Sequence, residues 1–461
     1  MNRLLSRNLS ILTTALIILF SASGVRAADD KKAYPAPAGV SPQPSSSSGA
    51  LVTSPSVTVL NLSQCIETAL KRNPTILASQ YGVNASQSRV GESRAAYYPQ
   101  VSASASYYRI QPISVQTPTM RTSPDAYDQY AGSVTLSQNL IDFGKTSSQV
   151  DISKFNLESS RSDLRTTQDT ITLSVKQAYY GVLQAKRNRD VAADVIKQFQ
   201  LHLDQAKGFY HVGTKAKIDV IKAEVDLSNA KLSLINAENA LRISWVTLNN
   251  VMGIPDAPEY QIEDDLSIHK FPITLEDAVA RAYANRPDLQ SVIAKRQAAE
   301  TSIGLARTGY YPTLSGNASY NWAADRASDL DQGHYWSAGV LLTVPLFNGF
   351  LTTHQVAEAK ANYYAAQANE ETVRQQILLD VRQAYLNLRT ADASIETAEL
   401  AARQAKENLD LANGRYAAGV GSPVEVSDAF ATYVTAQANY TQSLSNYKIA
   451  QANIEKAMGA R

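Results

Sequence analysis

Two stretches of the chain share one pattern of apolar and small polar positions. After Tyr97-Tyr98-Pro99, Val101, Ala103, Ala105 and Tyr107 alternate with serines; after Tyr310-Tyr311-Pro312, Leu314, Ala318, Tyr320 and Trp322 alternate with Ser315, Asn317, Ser319 and Asn321. A period of two predicts strands with one apolar face. Each stretch is followed by a second alternating run. Val134, Leu136 and Leu140 lie between Ser133, Thr135, Ser137 and Asn139; Trp336, Ala338, Val340, Leu342, Val344 and Leu346 lie among Ser337, Gly339 and Thr343. The chain should therefore carry two hairpins, over about 99–141 and about 312–347. Strands of roughly ten to twelve residues are long enough to cross a bilayer when tilted. Alternation alone also fits a soluble sheet with one wet face. Against that, Tyr107, Tyr130, Tyr320, Trp322 and Trp336 stand near strand ends on the rows facing away from the serines, as interfacial aromatics do at lipid headgroups. The opposite rows are small and hydroxylated, which suits a water-filled lumen.

Around the hairpins the period changes from two to that of helices. From Phe143 to Val251 and from Asn348 to Gly421 there is no proline, and apolar positions step by three and four, as in Ile171, Val175, Ala178, Val182 and in Leu378, Val381, Tyr385, Leu388. Leu234, Leu241 and Leu248 repeat at coiled-coil spacing, and Ala429, Ala436 and Ala450 permit close helix approach. About 70 residues of helix span on the order of 100 Å. Each run breaks once, at Gly208 to Asp219 and at Gly414 to Glu425. Glycine at one helix end and an acid in the next first turn predict a helical hairpin.

The two halves match in order. Leu62, Ala69, Pro74, Pro99 and Tyr107 precede Leu275, Ala282, Pro287, Pro312 and Tyr320 by a constant 213 positions. Past the first hairpin the offset is 206, pairing Leu140 with Leu346, Gln177-Ala178-Tyr179 with Gln383-Ala384-Tyr385 and Met252-Gly253 with Met458-Gly459, so the loop around Pro112 to Pro124 holds the extra residues. Such duplication implies internal pseudo-symmetry. The repeats are assigned to 61–253 and 274–461, joined by a linker at 254–273 that contains Pro255, Pro258 and Pro272. Each opens with a two-part helix. It starts at Asn61 or Thr274, with Gln64 or Asp277 three residues on as in a capping box, and breaks at Pro74 or Pro287.

Composition narrows the setting. Arg3 and Arg7 before the apolar run Ile11 to Phe20, then Val25-Arg26-Ala27, read as a secretory signal peptide over 1–27. Residues 28–60, rich in Pro and Ser, read as a flexible segment. Without Arg3, Arg7 and Arg26, the 43 basic residues become 40 against 42 acidic, which gives no reason to expect nucleic acid. Beyond the signal no apolar run approaches the roughly twenty residues of a membrane helix, so insertion must be by strands. Cys65 is alone and excludes an intrachain disulfide. His202, His211, His269, His334 and His354 are scattered, with no ligand spacing for a metal. With no phosphate loop, nucleophile elbow or zinc-protease motif, neither a cofactor nor an enzyme is expected, and energy must come from a partner.

Together these residues resemble the outer-membrane efflux proteins of the TolC family over nearly the whole mature chain. The resemblance rests on Ala69-Leu-x-x-Asn-Pro74 with Ala282-Tyr-x-x-Arg-Pro-Asp288, the twin Tyr-Tyr-Pro strand starts, Asp142-Phe-Gly144 with Phe347-Asn-Gly349, and the two Tyr-x-x-Gly turns. It implies a mainly α protein with a membrane β-barrel. Three identical chains, a homotrimer with four strands each, would close one twelve-stranded barrel in outer-membrane lipid, continued through the periplasm by an α-barrel of long coiled helices. Its function would be that of an export channel working with a periplasmic adaptor and an inner-membrane pump, proton-driven or ABC. A duct of type I protein secretion stays open, as does a periplasmic coiled-coil adaptor or scaffold, a class that would normally have one helical hairpin.

Carried over residue by residue, the resemblance implies a periplasmic gate with Asp219 at the gate aspartate and Tyr416 at the gate tyrosine. The family's gate arginine falls at Gly421, which leaves Lys215 or Lys217 across the turn as replacements. Glu425 and Asp428 match the paired acids of the tunnel constriction. Their spacing puts both on one helix face, and symmetry would gather them into close, cation-selective rings; read alone, they are solvated acids in a first turn. Val212-Gly213-Thr214 and Ala418-Gly419-Val420 resemble the tip grooves that dock an adaptor, although a glycine at a helix end explains them equally.

Overall fold

The computed structural model describes residues 59–111, 115–117, 120–122, 126–256, 260–324 and 333–460. The expected signal peptide, almost all of the segment 28–60 and much of the Pro112–Pro124 loop lie outside them. The first half runs β1 (Val59–Leu60), α1 (Leu62–Arg72), α2 (Pro74–Arg94), β2 (Gln100–Ile110), a short ribbon of β3 (Val115–Thr117) and β4 (Met120–Thr122), β5 (Tyr127–Ile141), α3 (Lys145–His211) and α4 (Lys217–Met252). After β6 (Gln261–Ile262) the second half follows as α5 (Leu275–Asn285), α6 (Pro287–Arg307), β7 (Thr313–Ala324), β8 (His334–Thr343), α7 (Leu351–Ala417) and α8 (Pro423–Ala457). Matched helices agree to within one residue: 11 and 11, 21 and 21, 67 and 67, 36 and 35.

Local chemistry sets these ends. Asn61 Oδ1 accepts from the Gln64 amide at 2.9 Å while Gln64 Oε1 accepts from the Asn61 amide at 3.0 Å, a complete capping box. Thr274 Oγ1 accepts from the Asp277 amide at 3.2 Å. Pro74 and Pro287 are the first residues of α2 and α6, where a missing N–H is harmless. The repeated Met-Gly pair has a steric cause. Gly253 and Gly459 end their halves at φ of +72° and +67°. A Cβ there would lie 2.7 Å from the Arg72 carbonyl oxygen or 2.9 Å from the Arg286 amide nitrogen, so each half closes onto its own proline break.

The two inner cores repeat as well. Cys65, Ala69, Val175, Val182, Leu248 and Met252 in one correspond to Ala278, Ala282, Val381, Leu388, Ile454 and Met458 in the other. Burial pushes the Cys65 thiol up to about 11. At the lower end α3, α4, α7 and α8 share a third core that includes Phe199, Leu227, Leu409 and Phe430.

The four long strands form one antiparallel sheet in the order β2-β5-β7-β8, two hairpins side by side with β2 and β8 as free edges. Among the described residues no helix is long and apolar enough to cross a membrane. Two expectations need correction, and one element is new. The last strand stops at Thr343 instead of reaching 347, because Pro345 has no amide to donate to a ladder. The flexible stretch ends before 60: Val59 and Leu60 pair in parallel with Gln261 and Ile262, so the linker 254–273 is partly a strand partner. The β3–β4 ribbon was not anticipated.

Candidate functional site: the helical tips and the two-faced sheet

Both tip turns follow one path. Gly213 and Gly419 take φ of +74° and +79°, which only glycine adopts freely. The Thr214 amide donates to Phe209 O at 3.0 Å and the Val420 amide to Arg415 O at 3.1 Å, sealing the last turns of α3 and α7. Val212, Gly213, Thr214, Ala418, Gly419 and Val420 are all exposed, and Val212 and Val420 show 71% and 70% of their surface. Apolar exposure continues beside the turns, with Ile218 at 70% and Val424 at 52%.

Tyr416 does not point to solvent. It is fully buried between the two helical hairpins, against His202 at 4.5 Å and Phe209 at 5.7 Å between ring centroids. Its hydroxyl makes no hydrogen bond among the described residues, and burial, then the Asp219 carboxylate, pushes the phenol above its ordinary value. Asp219 is half-buried in the first turn of α4. The two therefore share a neighbourhood without a bond between them.

Gly421 cannot carry a side chain in this turn, since a Cβ would lie 2.8 Å from the Tyr416 amide nitrogen and 3.0 Å from the Arg415 carbonyl carbon. Lys215 reaches this point from the other hairpin. Its Nζ donates to the Gly421 carbonyl at 3.3 Å and lies 5.8 Å from the Tyr416 ring centroid. Lys217, the first residue of α4, is exposed. Of the two lysines considered, Lys215 is the one across the gap.

Glu425 and Asp428 are exposed on one side of α8, beginning where Ser422 caps the helix by accepting from the Glu425 amide at 3.2 Å. Glu425 meets Arg415 of its own hairpin at 3.4 Å; Asp428 has no ion pair among the described residues. Sequence reasoning missed a second link between hairpins. Ser427 Oγ donates to Asp226 Oδ2 at 2.5 Å, and Lys222 Nζ contacts the same carboxylate at 3.4 Å and Ser427 Oγ at 3.3 Å. Lys222 and Asp226 look like an ordinary i, i+4 pair on α4, and nothing in the sequence aims them at α8.

At the other end of the chain the strand register sorts side chains by face. Tyr107 lies opposite Tyr130, Tyr320 opposite Trp336, and Trp322 opposite Gly132, where its indole fills the space a Cβ would take. All five aromatics thus share one face with Val101, Val134, Leu136, Val340 and Leu342. The opposite face carries hydroxyls that bond across strands, Ser104 with Ser133 at 2.8 Å and Ser319 with Ser337 at 3.0 Å. No three His, Cys, Asp or Glu side chains gather at one point among the described residues.

Comparison with known proteins gives a consistent result. A family described as outer membrane efflux protein matches residues 65–254 and 278–460, one segment per half. The chain is 26% identical to the outer membrane protein TolC of Vibrio cholerae over 409 residues, covering 87% of this chain and 90% of that one. It is 24% identical to the TolC of Escherichia coli over 424 residues, with coverage of 87% and 82%. In structure it resembles the CmeC outer membrane channel of Campylobacter jejuni, with a TM-score of 0.76 at 19% identity, covering 92% of this chain and 94% of that one.

Proposed function

The chain belongs to the outer membrane efflux protein family, and from that membership we infer that it is the outer-membrane channel of a tripartite export system. The observation that carries this reading is the sheet, with one face apolar and ringed by aromatics, the other hydroxylated, and both edges free. Free edges in hydrocarbon leave backbone groups unpaired, and barrels of fewer than about eight strands are not known to span a membrane. Neighbouring copies must therefore supply the partners. The family's number is three, which makes a twelve-stranded barrel, and the 67-residue helices of each copy continue it on the order of 100 Å into the periplasm. An unanchored scaffold has no use for such a sheet.

In this reading the two repeats, 61–253 and 274–461, each give a hairpin of strands and a hairpin of helices, and the helical tips close the tunnel at rest. Tyr416 and Asp219 lie in that closure, Lys215 holds the Gly421 carbonyl where relatives would use arginine, and the exposed Val212 and Val420 turns meet the adaptor. An inner-membrane pump supplies the energy. Fractionation tests the reading. The protein should remain with outer membranes through a carbonate wash, leave them only in detergent, and conduct ions in planar bilayers. Release by carbonate would overturn it.

A further inference from the structure

His202 has no assigned part in the channel, yet it occupies the point where the two helical hairpins of one chain meet. It is only 4% exposed, projecting from α3 into the core made with α4, α7 and α8. Its ring lies 4.5 Å from that of Tyr416 on α7, and its Nε2, like the Tyr416 hydroxyl, is shut from solvent with no hydrogen-bond partner. The charged groups around it come from α4: Asp226, Lys222 and Asp219. From the α3–α4 turn, Lys215 approaches only the far partner, the Tyr416 ring. α8 contributes Val426 and Phe430 to the same core, and its Ser427 hydroxyl is committed to Asp226. Burial lowers the imidazole below its ordinary value, and Lys222 adds to this while Asp226 and Asp219 oppose it.

We propose that His202 makes the closed tip acid-labile, so that its protonation parts the α3–α4 hairpin from the α7–α8 hairpin and opens the periplasmic end. The inference rests on the channel reading above. An imidazolium has two N–H donors and needs an acceptor for each. Asp226 Oδ2 is turned to Ser427 and Lys222, and neither Asp226 nor Asp219 bonds Nε2 in the closed tip. Nε2 is shut from solvent there, so water reaches it as an acceptor only when the hairpins separate.

The sign follows from linkage. In the open form the imidazole is solvated and titrates near 6.5; in the closed form it titrates lower. Closure is unaffected above about pH 6.5 and weakens below it, by at most about tenfold in the closed-to-open ratio per pH unit for each His202, until the closed form's own value is reached.

The test is open probability of the full-length channel in planar bilayers at pH 7.5, 6.5 and 5.5. Wild type should change less between 7.5 and 6.5 than between 6.5 and 5.5, where the open-to-closed ratio rises by up to about tenfold for each His202 in the assembly. His202→Gln should stay within about twofold across the range, whereas His211→Gln, at an exposed position of the same helix, should behave as wild type. Should His202→Gln fail to assemble, His202→Phe keeps the ring contact with Tyr416 and serves in its place. A wild-type channel indifferent to acid, or a His202 variant that keeps the acid response, would overturn the proposal. Inserted protein that conducts at no pH would instead undo the channel reading.

Discussion

At Gly421 the backbone of one turn leaves no room for a side chain, and a cation reaches this point from Lys215 on the other hairpin. A half-exposed charge-assisted hydrogen bond of this kind is worth about 1 kcal/mol, or roughly fivefold in an equilibrium. Lys215→Met should therefore raise open probability at pH 7.5 several-fold. Gly421→Arg should also loosen the tip, since its Cβ collides with the Tyr416 amide. A tighter resting channel in Gly421→Arg would show that the turn can accommodate the side chain after all. The glycine at 421 was legible in the sequence, but its cause was not, because a close backbone approach depends on the path of the turn. His202 was equally hidden among five histidines. Its burial depends on which face of α3 turns toward α7.

Among the helices, duplication made the breaks readable to within about three residues, while the packing of upper α3 escaped. That segment carries serines where a helix pattern expects apolar residues. They pair with hydroxyls on α2 and α6: Ser86 with Ser160 at 2.8 Å, Ser93 with Ser153 at 2.6 Å and Ser159 with Ser291 at 2.9 Å, the last fully buried. Hydroxyl pairs of this kind bring helices close, and no apolar periodicity reveals them. Removing one partner strands the other without water. Ser159→Ala or Ser291→Ala alone should cost about 1 kcal/mol, and the double variant less than the sum of the two. Thermal unfolding followed by circular dichroism in detergent reads this cycle, and strictly additive losses would mean the two hydroxyls act independently.

In the proposed trimer the acids at the tip would gather into rings, and their unequal pairing makes a graded prediction. Glu425 is already met by Arg415, whereas Asp428 has no ion pair among the described residues. Asp428→Asn should lower cation preference, measured as reversal potential in a salt gradient, more than Glu425→Gln does. An unchanged reversal potential in the double variant would remove both from the constriction. That the sheet needs other copies could be counted from the sequence; the pairing of Val59–Leu60 with Gln261–Ile262 could not, since two residues carry no period. This small pairing sets a timetable for biogenesis. If export delivers the N-terminal end first, β1 emerges early and must wait for about two hundred further residues before β6 arrives, a long loop to close. The first repeat therefore cannot be locked until its whole length and the linker strand behind it have crossed the inner membrane, and a chain stalled before residue 261 leaves its leading edge untied and open to proteolysis.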